Sequence, residues 1–382
     1  MDFDLSWLLL ALPVAFALGW LASRLDLRQL RRESRDAPRA YFKGLSLLLS
    51  EQQDKAIDAF IEAVQNDPDT VDLHFALGGL FRRRGEFERA VRVHEHLLRR
   101  ADLTTADRER AQHALAQDYM KAGLFDRAEA AFRVLEGTTY DTESRLARLS
   151  LYERSRDWPA ATTMAEQLEA RGAGVFAGRM AHYRCELALE AEARGDEESA
   201  LDALRLALAA APEAARPRLL SARHHARRSR PAQALAELED LLQRDPECFL
   251  LALDDYVTVA RDAGRAEAAQ RKLAELFERQ PGVELLRALC LLQGLSPAES
   301  PLLDQLLERQ PSLSAVQVVL EAQSPALPAQ RLAGLRRAVQ RAATPLQRYR
   351  CAHCGFEAQR HFWQCPGCLS WDSFPPRRIE QA

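Results

Sequence analysis

The sequence predicts an all-α protein: a helical-repeat solenoid that follows an N-terminal transmembrane helix and ends in a small metal-binding domain. Three observations carry that prediction. Nineteen residues near the N-terminus, Leu5 to Ser23, lack any charged side chain. A pattern of small and large apolar residues returns about every 34 residues through the middle of the chain. Four cysteines in two Cys-x-x-Cys pairs lie close to the C-terminus.

Composition sets the outer bounds. A chain of 382 residues that is 47% hydrophobic can bury an extended core. Alanine, leucine, arginine and glutamate dominate and extended β-branched runs are absent, which is helix composition. With 52 basic and 55 acidic residues the net charge is -3, so no general electrostatic attraction to nucleic acid is expected. The seven cysteines are an odd number without a secreted-style framework, which fits a reducing compartment. Cys185, Cys248 and Cys290 sit in apolar helical text and read as small buried hydrophobes.

The charge-free stretch reads "LSWLLLALPVAFALGWLAS". As a helix it would span roughly 28 Å, about the thickness of a bilayer's hydrocarbon core. Trp7 and Trp20 fall near the two interfaces, and Pro13 is tolerable within a membrane helix. Ala15-Phe16-Ala17 imitates a signal-peptidase site, but Asp2 and Asp4 are the wrong charge for a signal peptide's leader. Arg24, Arg28, Arg31, Arg32, Arg35, Arg39 and Lys43 follow the span, against Asp26, Glu33 and Asp36. Residues 1–23 then read as a single-pass anchor and 24–40 as a basic juxtamembrane linker that the positive-inside rule places in the cytoplasm. The rest of the chain is expected on the cytoplasmic side.

Residues 41–345 are expected to form the repeats. "GLSLLLSEQQDKAIDAFIEAVQNDP" from Gly44, "GGLFRRRGEFERAVRVHEHLLRRAD" from Gly78 and "AQDYMKAGLFDRAEAAFRVLEG" from Ala116 share one skeleton. Ala56, Ala90 and Ala128 hold an equivalent position, with Phe60, His94 and Phe132 four residues later. Ala161, Ala200, Ala234 and Ala269 continue the series. Ala56 to Ala90 is 34 residues, the period of the tetratricopeptide repeat (TPR), a helix-turn-helix unit. Two antiparallel helices approach closely only where a small residue sits at their crossing, and no unit buries its own apolar faces alone. Prolines at 212, 246, 281, 311 and 345 keep the phase, each expected to end a second helix. About nine units fit, the last ones degenerate, because "QGLSPAESP" and "QSPALPAQ" break helices where the pattern would continue. Plain helical hairpins without a shared groove are the alternative.

Nothing in this middle looks catalytic. "GAGVFAG" at 172–178 follows no strand and reads as a turn between repeats. His94 and His96, like His224 and His225, are spaced so that they do not share a helix face, and read as packing or surface residues.

The metal site is Cys351, Cys354, Cys365 and Cys368, within residues 346–382. Two thiolates separated by two residues can reach one ion when the backbone turns tightly, and Gly355, Pro366 and Gly367 favour such knuckles. Four sulfurs close the coordination shell and leave no position for substrate, so the ion is expected to be structural, either zinc or iron. A disulfide pair fits the compartment poorly, and a thioredoxin-like motif lacks its βαβ context. "YRCAHCGF" and "WQCPGC" resemble the knuckles of rubredoxin, which leaves an electron-transfer role open, as well as a zinc ribbon that binds nucleic acid. Phe356, Phe362, Trp363 and Trp371 exceed what so small a domain can bury alone; the last helices of the array are the expected cover.

The order of anchor, repeats and knuckles resembles the lipopolysaccharide assembly protein B family of Gram-negative inner membranes. "LLSEQQDKAID" (48–58), "AGLFDRAE" (122–129), "YRCELALEA" (183–191), "YRCAHCGF" (349–356) and "WQCPGC" (363–368) carry the likeness, and the stretch from about 285 to 345 departs from it. The resemblance implies an adaptor and not an enzyme. It implies that the protein restrains lipopolysaccharide synthesis by promoting degradation of the deacetylase that commits the pathway to lipid A. The implied partners are that deacetylase, a membrane-bound AAA+ zinc metalloprotease, a lipopolysaccharide-sensing inner-membrane regulator and other lipopolysaccharide assembly proteins. A scaffold for a different membrane assembly is the competing reading.

Overall fold

The computed structural model describes residues 46–47, 53–66, 69–310, 312–321 and 329–381. The expected anchor and basic linker lie outside the described residues. Among the described residues no helix is long and apolar enough to cross a membrane. The chain divides into two compact units, up to Asp157 and from Trp158 onward.

The first unit holds α1 (Gln53–Asn66), α2 (Val71–Arg84), α3 (Phe87–Arg99), α4 (Thr105–Ala122), α5 (Phe125–Arg133) and α6 (Asp141–Ser155). Helices adjacent in sequence pack against each other through α6. The second unit begins with α7 (Trp158–Ala170), α8 (Ala177–Ala193), α9 (Glu197–Ala210), α10 (Ala215–Arg227) and α11 (Pro231–Arg244). The short α12 (Pro246–Phe249), α13 (Leu253–Asp262), α14 (Ala266–Arg279) and α15 (Val283–Gln293) follow. The last helices are α16 (Leu302–Arg309), α17 (Leu313–Glu321) and α18 (Ala329–Leu346); a two-stranded antiparallel sheet, β1 (Tyr349–Arg350) and β2 (Glu357–Ala358), comes after them.

The repeat physics is visible residue by residue. Ala56, Ala90, Ala128, Ala161, Ala200, Ala234 and Ala269 each stand three residues after the start of a helix, and none is more than 1% exposed. Four residues further on come Phe60, His94, Phe132, Ala165, Leu204, Leu238 and Leu273, all buried. The small residue lets the neighbouring helix approach, and the residue one turn later fills the space beside it. Before the six of these helices that follow α1 stands a left-handed residue two positions ahead: Gly85 (φ 84°), Gly123 (76°), Gly195 (78°) and Gly264 (66°), with Arg156 (59°) and Ser229 (54°) in the same role. At Gly85 the freed amide returns to Arg82 O and Phe81 O, closing the carbonyls at the helix end.

Three expectations need refinement. Pro345 does not follow α18 but lies inside its final turn. There the ring costs little, because only one residue of helix remains to be disrupted. Pro246 follows the end of α11 at Arg244 as expected, and it also starts the next helix, at the N1 position where its missing N–H is harmless. His94 is not a plain packing residue. Its Nδ1 lies 2.5 Å from Asp118 Oδ2, and Arg82 Nη1 donates to Asp118 Oδ1 at 3.1 Å, a buried polar cluster in the place other repeats give to an apolar side chain. A Cβ on Gly78 would meet the His94 ring at 2.5 Å, so that glycine is what makes room for it. "GAGVFAG" does form the turn between α7 and α8, with Gly172 at φ 70°.

Candidate metal centre

The two cysteine pairs fold into near-equivalent knuckles. In the first, the amide of Gly355 donates to Cys351 O at 2.9 Å and that of Cys351 to Phe356 O at 2.9 Å. In the second, Leu369 N–H donates to Cys365 O at 2.8 Å and Cys365 N–H to Ser370 O at 2.9 Å. Each reversal requires a left-handed residue after its second cysteine: Gly355 at φ 76° in one, Leu369 at φ 60° in the other. The β1–β2 hairpin, with Tyr349 opposite Ala358, supports the first knuckle, and a single bridge between Gln364 and Trp371 supports the second.

This folding brings the four predicted cysteines together. All four Sγ atoms lie within 4.8 Å of one another, with Cys351–Cys368 at 3.8 Å and Cys354–Cys365 at 3.7 Å. Sulfurs about 2.3 Å from a tetrahedral ion stand about 3.8 Å apart, so the spacing fits one ion. It is far beyond the roughly 2.05 Å of a disulfide, and all seven cysteines are free thiols. Ser373 Oγ lies 3.3 Å from Cys351 Sγ and Ser370 Oγ 3.4 Å from Cys368 Sγ, where hydroxyls can support thiolates. Burial alone would push the Cys351 thiol up, but hydrogen bonding from Ser373 and the amides of Cys354 and His353 outweighs it and holds the thiol down at about 6. Cys351 and Cys365 are buried while Cys354 is exposed. The donor set therefore suits a single ion in a closed site of four thiolates.

The other cysteines show why they are not part of it. Cys185 and Cys290 are fully buried in helix, and burial pushes the Cys185 thiol up to about 12, beyond thiolate chemistry at neutral pH. Cys248 is raised too, by burial and then by Asp245.

The last helices cover the metal domain only in part: Glu380 reaches α17 and Trp363 packs on a core that α16 and α17 share. The domain is also seated against helices from the middle of the array. Trp371 stacks on the buried His182 of α8 with ring centroids 4.5 Å apart, and meets Trp158 and Tyr183 edge-on at 6.3 and 6.0 Å. His182 Nε2 donates to Asp372 Oδ2 at 2.7 Å. Trp363 packs on the large core that runs from Ala215 to Val318. Phe356 stays 42% exposed. The middle helices are thus in contact with a tail that is adjacent in sequence only to α18.

The last residues then act as a clasp. Arg377 pairs with Glu247 of α12, and Arg378 with Glu284 of α15 at 3.4 Å. Gln381 also donates to Glu284, at 2.8 Å. Glu380 accepts from the Ser314 amide at 3.1 Å, capping the first turn of α17 from 66 residues away. Neither the His182–Asp372 contact nor this clasp announces itself in the sequence, because both join residues that share no motif.

Residues 349–376 match the family described as rubredoxin metal binding domain. Over 387 aligned residues the chain is 33% identical to lipopolysaccharide assembly protein B of Escherichia coli K12, covering 98% of both proteins. The chain belongs to the lipopolysaccharide assembly protein B family. A second member, from Haemophilus influenzae, is 28% identical over 97% of each chain. Among solved structures, Naa15/Naa10 bound to HypK-THB is similar over 81% of this chain and 47% of that one, at 16% identity and a TM-score of 0.41. A tetratricopeptide repeat protein from Parabacteroides merdae is similar over 67% of this chain and 98% of its own, at 15% identity and a TM-score of 0.34. The family resemblance drawn from the motifs thus holds over the whole chain, and its paired cysteine knuckles are those of the family's metal-binding domain.

Proposed function

We propose that this member of the lipopolysaccharide assembly protein B family is a membrane-anchored adaptor on the cytoplasmic face of the inner membrane. In this reading residues 1–23 span the membrane, 24–40 link, 41–345 form the repeats and 346–382 the metal domain. The adaptor delivers the lipid A-committing deacetylase to the membrane-bound AAA+ zinc metalloprotease, under control of a lipopolysaccharide-sensing regulator. Cys351, Cys354, Cys365 and Cys368 ligate one ion, which supplies shape by holding the two knuckles together. A domain of this size cannot fold without such a staple.

The observation that carries the reading is the seating of the metal domain on the repeats. Trp371 and Asp372 meet α8, and the clasp meets α12, α15 and α17, so knuckles and repeats present a single composite surface to partners. Anchoring then raises the effective concentration of adaptor near a membrane-bound protease without adding contacts. The test is deacetylase half-life after blocking protein synthesis. Cys365→Ser, which removes one thiolate, and deletion of residues 1–23 should each stabilise the deacetylase as fully as loss of the whole gene. Wild-type turnover in both variants would overturn the adaptor reading.

A further inference from the structure

Where the metal domain meets α10 and α15, the second unit encloses a cleft of about 420 Å³ that the seating of the two modules does not fill. Its charge is opposite to that of the chain. Arg223, Arg287, Arg360 and Arg378 line it from four separate elements, against two carboxylates, Asp254 and Glu284, in a protein whose net charge is -3. Two of these guanidiniums are already engaged: Arg223 with Asp255 at 2.9 Å and Arg378 with Glu284 at 3.4 Å. Arg287 and Arg360 have no carboxylate partner among the described residues; Arg360 lies over the Phe362 ring, 4.7 Å from its centroid. Between the charges the wall is apolar, with Leu219, Leu253 and Trp363.

We propose that this cleft binds an extended acidic peptide segment of a partner protein, with two carboxylates on Arg287 and Arg360 and an apolar side chain against Trp363. Guanidinium forks match carboxylates in geometry as well as in charge, and Arg287 and Arg360 are the two in the cleft without one. A peptide also answers the acceptors in the wall. Exposed Asp254 can accept a backbone N–H, which a peptide supplies and a phosphate does not. His361 spends its Nε2–H on Phe374 O at 2.9 Å and presents Nδ1 as a second acceptor, and burial holds its pKa below the ordinary value. A compact phosphate offers nothing to the apolar wall of Leu219, Leu253 and Trp363, and a polyanion such as nucleic acid would meet an acidic protein around a single cleft.

The inference goes beyond the adaptor reading and fails separately from it, since it is read by binding and not by deacetylase turnover. The probe is a fluorescein-labelled octapeptide of alternating glutamate and leucine, titrated by anisotropy into the metal-loaded full chain in detergent. The expected result is saturable binding that weakens with salt. Arg287→Glu and Arg360→Glu should each lower affinity on the order of tenfold, the scale of one lost charge-assisted contact, and the glutamine–leucine counterpart, which loses both, about a hundredfold. Arg337→Glu, an exposed arginine on α18 outside the cleft, should leave binding unchanged. Helicity and metal content measured alongside separate lost binding from lost folding. No saturable binding, equal binding of the glutamine peptide, an intact response in the Arg287/Arg360 double variant, or displacement by equimolar inorganic phosphate would each overturn it.

Discussion

Trp371→Ala is the perturbation that most directly tests how the metal domain is held. The side chain stacks on His182 at 4.5 Å and touches Trp158 and Tyr183 edge-on at 6.3 and 6.0 Å. Each aromatic pair contributes about 0.5–1.5 kcal/mol beyond area burial, so three such pairs sum to about 3 kcal/mol. Arg216 lies 5.9 Å from the ring centroid, at the outer limit of a cation–π contact, and adds little. The domain should therefore open from the array roughly a hundredfold more often, since each 1.4 kcal/mol is about tenfold. His182→Ala removes one of those pairs and the hydrogen bond to Asp372, whose half-exposed side chain returns to water at modest cost. In the double variant the two losses should overlap by about 1 kcal/mol, the worth of the shared stack. Hydrogen–deuterium exchange across residues 349–381, at constant metal occupancy, reads both numbers. Exchange within about threefold of wild type after Trp371→Ala, or strict additivity in the double variant, would refute the seating argument.

Ser229 occupies a left-handed turn at φ 54° where equivalent turns use glycine. Relief of about 1–2 kcal/mol of steric strain exceeds glycine's entropic cost of about 0.5–1, so Ser229→Gly should raise stability by about 0.5–1 kcal/mol in chemical denaturation; a loss would contradict this. Acid should weaken the fold before any carboxylate titrates. Burial lowers the pKa of His113, His225 and His361, so the unfolded chain takes up protons first. Their contribution is complete above the unfolded value of about 6.5 and is lost as pH falls through the lower folded values. Denaturation midpoints with metal in excess should thus fall from pH 7.5 to 5.5, and less steeply in His113→Gln and His225→Gln.

What was legible in the sequence were the features that local physics demands. A small residue at a helix crossing must recur with the repeat, so the alanine series from Ala56 to Ala269 could be read at its spacing and is found buried at each position. Two cysteine pairs must converge if one ion is to hold them, and they do. Other features depend on where distant segments meet. His94 in a phenylalanine's place read as a packing or surface residue, because its partner Asp118 belongs to a different helix. Gly78 was visible as a repeat glycine, whereas its task of clearing the His94 ring was not. The seat of the metal domain joins Trp371 and Asp372 to His182, about 190 residues away in sequence, and no local motif encodes a pairing at that distance.

The clasp has a consequence for the order in which this chain can mature. A solenoid is ordinarily assembled in sequence, each hairpin stacking on the one before as synthesis delivers it. Here the residues that tie α12, α15 and α17 together are 377–381, which follow all the helices they join in sequence. Glu380 reaching Ser314 and Asp372 reaching His182 add ties between helices far apart in sequence, on top of the core those helices already share. Closure by this segment is therefore coupled to the folding of the metal domain and not to the stacking order of the repeats.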